Sequence, residues 1–454
     1  MAVEYDLLHV HFGPAHSQPR RADEICSRHR GNCCLRDNRL KCKRGGGPML
    51  RSALLAVPLA LAASAAAAQG AVKIAILGPM AFVQGENHWA GAEMARDEIN
   101  QAGGINVGGR RMQVELIRAD TNEIQSVPDA TNAIERVITR DKADFLIGGF
   151  RSEAVLAMQE VAMDYKKIFL GAGAADARLG ENVEKNYARY KYWFRVTPVK
   201  SLDLFRTLMS VLHAIGDQVR QSLKKDRPKV ALIAEKAVWT QPIVKAVQAT
   251  LPKMNMDLVG TWQPSAVATD VTAELSAIER SDADIVFTLL SGPVGISLGR
   301  QMGERSMRAV AWGINVEGQK EEFWQAAAGK AQFVSTLDTY SEVEMTPKTI
   351  PFVRAFKERF KKAPTYTAVT YDAIMILKAA IEQAGSTDAD KLVPVIEKME
   401  HVGTAGTDTW DKRHDLVWAV GKTAGIAVQW QDGEKVPFWP PQVKGMQPFK
   451  MPKR

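Results

Sequence analysis

Short apolar runs alternate with helix-patterned segments along most of this chain, and that alternation limits the fold more than any other feature. VKIAIL (72–77), MQVELI (112–117), DFLIGG (144–149) and KIFLGAG (167–173) each have the length and apolar content of a buried strand. Between them lie 91–101, the segment SVPDATNAIERVI with Pro128 near its first turn, and 152–165, all with apolar residues at helical spacing. Ala102-Gly103-Gly104 stops the first of these helices. A repeating strand–helix order predicts a parallel sheet with helices on both faces.

The series then begins again. KVALIAE (229–235), a helix from about Gln241 to Leu251, MDLVGTW (256–262), a helix over 271–279, ADIVFTLL (283–290), a helix over 294–304 and RAVAWG (308–313) follow in order. Two such series predict two doubly wound α/β lobes in place of one large sheet. Ligands on these sheets bind beyond the carboxyl ends of the strands, which in a two-lobed chain can face a common cleft. Helices are expected over 350–360, 371–384 and 390–399, a last strand over 424–430, and irregular structure in the Pro-rich tail VPFWPPQVKGMQP.

The N-terminal part has a different character. MLRSALLAVPLALAASAAAA begins at Met49 with a positive residue, Arg51, then an apolar run, then small residues suited to cleavage. The run is too short to span a membrane. Residues 49–68 are expected to be a secretory signal peptide and 1–48 a non-native extension. Cys26, Cys33, Cys34 and Cys42 all fall in that extension and lack the CxxC spacing of a metal site. The whole chain has a formal charge of +8, but ten Lys/Arg and five Asp/Glu precede residue 69, so the remaining 386 residues carry +3. No basic run is left to suggest a nucleic-acid partner. A cysteine-free mature chain of this size can rely on its apolar core. No cysteine stands at the cleavage point to carry a lipid anchor. The expected product is periplasmic, in a Gram-negative bacterium, and monomeric.

GAEMARDEINQAGGINVGGRRMQVELIRADT (91–121), KADFLIGGFRSE (142–153), YDAIMILKAAIEQAGSTDADKLVPVIEKM (371–399) and a terminal strand ending in QW resemble, in order, the Leu/Ile/Val-binding family of type I periplasmic solute-binding proteins. The resemblance covers about residues 72–435. It implies two lobes joined by three crossovers, with a small-molecule solute in the cleft between them. It also implies closure of the cleft and docking on the membrane permease of an ABC importer. Carried onto this chain, the crossovers fall near Thr197-Pro198, near Thr336-Leu337 and within 411–418. Lobe 1 is then 72–197 plus 337–415, and lobe 2 is 198–336 plus 416–454.

Site residues follow partly from physics and partly from the resemblance. In LIGGFRSE a strand runs through two glycines into a helix starting at Ser152, and such an end attracts a carboxylate. Ser152 either caps its helix or, as the resemblance implies, holds the ligand carboxylate. Arg151 either adds a bidentate grip or is simply solvated. In LGAGAADA, Ala174 and Ala175 stand where the family usually has Ala-Thr, so a hydroxyl contact to the ligand amino group is lost. Trp239 takes the place of a stacking aromatic residue, or else packs in the lobe core. Ser291 stands where amino-acid binders carry a tyrosine, and Asn315 where they carry a glutamate that neutralises the ligand ammonium, with Glu317 two residues on. Gln84 is near the cleft by a weaker match. A kept carboxylate end and an altered ammonium end predict an amino-acid-like solute bound in an unusual way, an aromatic or aliphatic acid, or an amide.

Other classes lack their marks. GAGAADA follows a strand but misses the third glycine and the later acid of a dinucleotide fingerprint. There is no GxSxG or Walker A sequence, and His88, His213, His401 and His414 have no metal-ligand spacing. The chain is therefore read as neither enzyme nor metalloprotein, and no cofactor is expected. A ligand sensor on the same fold remains the alternative to transport.

Overall fold

The computed structural model describes residues 70–452; the expected extension (1–48), the expected signal peptide (49–68) and all four cysteines lie outside the described residues. Strand β1 (Ala71–Gly78) is buried along most of its length and lies parallel to β3 (Arg110–Asp120) on one side and β4 (Phe145–Gly148) on the other. Between them in sequence, β2 (Ile105–Val107) pairs antiparallel with β3 as a hairpin. β5 (Phe169–Gly171) and β6 (Trp193–Arg195) extend the sheet, giving the order β2-β3-β1-β4-β5-β6. The strand order turns back between β1 and β4, and a crevice opens there at the carboxyl ends. Gly148 makes the approach possible. Its φ is +120°, and a Cβ on it would sit 2.0 Å from the Leu77 carbonyl oxygen.

The second sheet holds β7 (Lys229–Ala234), β8 (Asp257–Trp262), β9 (Ile285–Leu290) and β10 (Val310–Asn315), all parallel, in the order β10-β9-β7-β8. Its order turns back between β7 and β9. A third sheet starts with β11 (Ser335–Asp338). After the small hairpin β12 (His401–Val402) and β13 (Thr407–Asp408), it is completed by β14 (Ile426–Gln431) and β15 (Glu434–Trp439).

Several elements differ from expectation, three of them in ways that shape the core or the tail. Helix Val83–Gln101 begins eight residues before Gly91, and that glycine is internal. A Cβ at Gly91 would stand 2.3 Å from the Ala368 carbonyl oxygen, so the residue serves close helix packing. Helix Ser201–Leu223, 23 residues long, was not foreseen. Its Leu204, Leu208, Val211, Leu212, Ile215 and Val219 are buried against the second sheet, where the Trp312 indole N–H donates to the Leu208 carbonyl at 3.1 Å. The Pro-rich tail is not wholly irregular. β15 runs through Pro437, which an edge strand tolerates.

The apolar cores follow the sheets. One gathers Ile74, Ile76, Leu146 and Phe169 with Ile374, Leu377 and Leu392 from the later helices. Another gathers Leu232, Phe287, Val310 and Trp312 with Leu208 and Leu212. Phe150 and Ala175, both on loops of the first sheet, belong to this second core, so the lobes meet across apolar surface. Burying a side chain the size of Phe150 contributes about 1.5–3 kcal/mol. Near the end of β6, Arg195 donates to Asp415 at 2.7 Å with both side chains 1% exposed. Its guanidinium also reaches the carbonyls of Ala174 and Asp176, while Lys200 stands 3.4 Å from Asp415 and 3.3 Å from Asp203.

Candidate functional site

The crevices of the two parallel sheets open on one cavity of about 750 Å³, its mouth included. A concave, mostly apolar cleft between two sheets is a usual place for a small solute. The first sheet contributes Phe150, Arg151, Ser152 and Ala175; the second contributes Trp239, Ser291, Ile314 and Val316. Leu204, Gln319, Leu337, Asp338 and Tyr366 complete much of the wall. Most of this surface is aliphatic or aromatic, so the cavity offers an apolar body few polar contacts.

The expected site residues divide. Arg151, Ser152, Ala175, Trp239 and Ser291 line the cavity, while Gln84, Ala174, Asn315 and Glu317 do not. Ser152 is the first residue of helix Ser152–Asp164, and no side chain caps that helix. The Ser152 hydroxyl instead accepts from the Ala175 N–H at 3.2 Å, tying two loops of the first sheet. The Arg151 guanidinium donates to Glu153, at 2.9 Å through Nε. Trp239 is in the cavity wall and its indole N–H is already committed, 3.1 Å from Glu235 Oε1. Ala174 is in the core of the first lobe, with its carbonyl on Arg195.

Asn315 has a structural role. Its Nδ2 donates to the Gly295 carbonyl at 3.1 Å and its Oδ1 accepts from the Gly318 N–H at 3.3 Å, which fixes the turn after β10. Glu317 pairs with Lys320 at 2.6 Å. Gln84 sits in the first turn of its helix, where its carbonyl accepts from the Thr367 hydroxyl at 3.0 Å.

Two buried glutamates behind the wall had no sequence signal. Glu123 Oε2 accepts the backbone N–H groups of Phe150 at 2.9 Å and Arg151 at 2.7 Å, and Oε1 accepts the Thr121 hydroxyl at 2.8 Å. Glu235 Oε2 accepts the N–H groups of Ser291 at 2.7 Å and Gly292 at 2.9 Å. Its Oε1 takes the Ser291 hydroxyl and the Trp239 indole. The two sheets thus use one device: a carboxylate just past one strand, β3 or β7, holds the amide pair just past a later strand, β4 or β9. Burial pushes the Glu123 carboxyl above its ordinary range, against the pull of the Phe150, Thr121 and Arg151 donors. Tyr366 is also in the wall, and its hydroxyl is pushed upward by burial and then by the charges of Glu123 and Glu235. Asp338, the acid in the wall itself, is paired with Lys435 at 2.7 Å.

Among the described residues no group of His, Cys, Asp or Glu side chains is placed to hold a metal ion, and no helix is long and apolar enough to cross a membrane.

The family model described as periplasmic binding protein matches residues 71–434. The chain belongs to the periplasmic binding protein family. Members of this family are solute-binding, non-enzymatic components of transport systems. An amino acid binding protein of Pseudomonas aeruginosa is 27% identical over 337 residues, covering 73% of this chain and 83% of that protein. Among solved structures, one described as a branched-chain amino acid ABC transporter protein from Silicibacter pomeroyi superposes with a TM-score of 0.70 at 21% identity, covering 84% of this chain and 99% of the other. A solute-binding protein of an ABC transporter from R. palustris, in complex with benzoate, gives a TM-score of 0.64 at 19% identity, covering 81% and 95%. These likenesses show a shared fold of parallel-sheet cores.

Proposed function

We propose that this protein is the solute-capturing component of an ABC importer, working in the periplasm as a monomer and handing its solute to a membrane permease. The observation that carries this reading is one cavity walled by the carboxyl ends of two parallel sheets. Lobe 1 is taken as 72–197 plus 337–415 and lobe 2 as 198–336 plus 416–454. Ser152 and Ala175 act from the first lobe, Trp239 and Ser291 from the second, and the lobes swing together around the solute. Closure excludes water and strengthens each polar contact inside. The apolar wall supports a solute with an aliphatic or aromatic body. Members of this fold include proteins described as binding amino acids and one bound to benzoate.

Small-angle scattering of the protein stripped of solute, then returned to a periplasmic extract, tests the mechanism. The radius of gyration should fall on binding. An unchanged radius beside a solute retained in native mass spectrometry would count against closure, and no retained solute would count against solute capture.

A further inference from the structure

We propose that the solute is an acid whose apolar body carries a second hydrogen-bonding group, and that the hydroxyls of Thr339 and Tyr366 receive that group. This rests on the solute-binding reading above. Most polar side chains of the cavity wall are already bonded within the protein. Trp239 and Ser291 donate to Glu235. Gln319 donates to the Leu337 carbonyl at 2.9 Å, and its Oε1 is buried. Asp338 accepts from the Thr339 N–H at 2.7 Å and pairs with Lys435 at 2.7 Å. At the first sheet, donors remain. The Ser152 hydroxyl accepts from the Ala175 N–H and keeps its own hydrogen to give, and no side chain caps the helix that begins there. Such an end suits the carboxylate of an acid.

Thr339 and Tyr366 stand apart from the rest of the wall. Both line the cavity, they are 6% and 7% exposed, and neither hydroxyl has a hydrogen-bond partner among the described residues. The neighbours of Tyr366 do spend their polar groups. The Thr367 and Thr370 hydroxyls donate to the carbonyls of Gln84 and His88 at 3.0 Å and 2.7 Å, and the Thr365 N–H donates to Asn87 at 2.9 Å. Those bonds fix the turn that carries Tyr366, as the bond to Asp338 fixes the backbone of Thr339. The two hydroxyls are thus set in place and left open. A buried hydroxyl that loses its water and gains no partner is costly. A plain hydrocarbon body would impose that cost on binding. A hydroxyl, carbonyl or ammonium on the body removes it, because a hydroxyl offers one donor and two acceptor positions.

Calorimetric titration of the native protein with benzoate, meta-hydroxybenzoate and para-hydroxybenzoate, and with isocaproate, α-hydroxyisocaproate and leucine, tests this. At least one substituted acid should bind about tenfold more tightly than its parent, the size of one hydrogen bond gained. The leucine and hydroxyl arms tell an ammonium from a neutral oxygen. Tyr366→Phe and Thr339→Val should each reduce the margin between substituted acid and parent to about threefold or less. The margin compares two solutes on one protein, so a loss of stability in a variant cancels from it. Equal binding of every substituted acid and its parent overturns the inference. So does a margin that either variant leaves intact, or failure of all these acids to bind. A solute recovered with the protein separates the two claims. A recovered solute with no second polar group overturns this inference and leaves solute capture standing, whereas no recovered solute and no compaction defeats solute capture itself.

Discussion

Arg195 and Asp415 form an ion pair 2.7 Å long and almost wholly withdrawn from water, joining the end of β6 to the segment after Trp410. Neither charge has solvent to turn to if the other is removed. Asp415→Ala should therefore cost about 3–5 kcal/mol, because it leaves the guanidinium buried with only carbonyls and no anion beside it. Urea unfolding with an unchanged slope and a lowered midpoint would register this loss.

His88 should make the fold sensitive to acid. It is fully buried, and burial pulls its pKa from 6.5 down to about 3, against the opposing pull of the Ala172 and Leu77 backbone groups beside the ring. The unfolded chain takes up this proton below about pH 6.5, while the folded chain refuses it until about pH 3. Stability present above pH 6.5 should thus drain away as pH falls through that window. His88→Leu should flatten the decline between pH 7 and pH 4, as read by denaturant titrations at both values.

Glu123 gives the opposite slope. Its pKa is raised by burial, so its ionised form is disfavoured in the fold relative to the unfolded chain, and that penalty grows as pH rises past the ordinary carboxyl range. Glu123→Gln should therefore compare better with the wild type at pH 8 than at pH 4. Paired thermal melts at the two pH values check the sign.

Ser152→Ala removes the acceptor for the Ala175 N–H and should cost about 1–3 kcal/mol of stability. Ser152→Thr keeps a hydroxyl and should recover part of that loss, which differential scanning calorimetry would detect.

Trp239 is half-buried in the cavity wall, so Trp239→Ala should affect binding more than folding. We expect a loss of about 2 kcal/mol in affinity, the usual size for truncating a central aromatic contact. Titration calorimetry beside a melting curve separates the two effects.

Much of the fold could be read from local pattern. β1, β4 and β9 are largely apolar runs because helices cover both their faces, and burial of that kind shows in sequence. Helix Ser201–Leu223 carries an equally legible signal in Leu204, Leu208, Val211, Ile215 and Val219. β15 was hidden by Pro437, which reads as a breaker unless the strand is known to lie at an edge. At the cavity, Ser152 is marked by the strand end and helix start around it, and Ala175, Trp239 and Ser291 by the family resemblance. Glu123 and Glu235 did not. Each meets its amide partners only through sheet pairing that brings residues 27 and 56 positions apart into contact, and nothing near either glutamate announces that. Asn315 is outside the cavity lining for a related reason: its carboxamide bonds within its own turn.

Glu123 and Glu235 also bear on how the pocket discriminates. Walls whose amides are already bonded need little rearrangement when a guest arrives, so little of the binding free energy goes into ordering the host. Choice among solutes then rests on fit to contacts that are already set, and less on contacts the wall has yet to form.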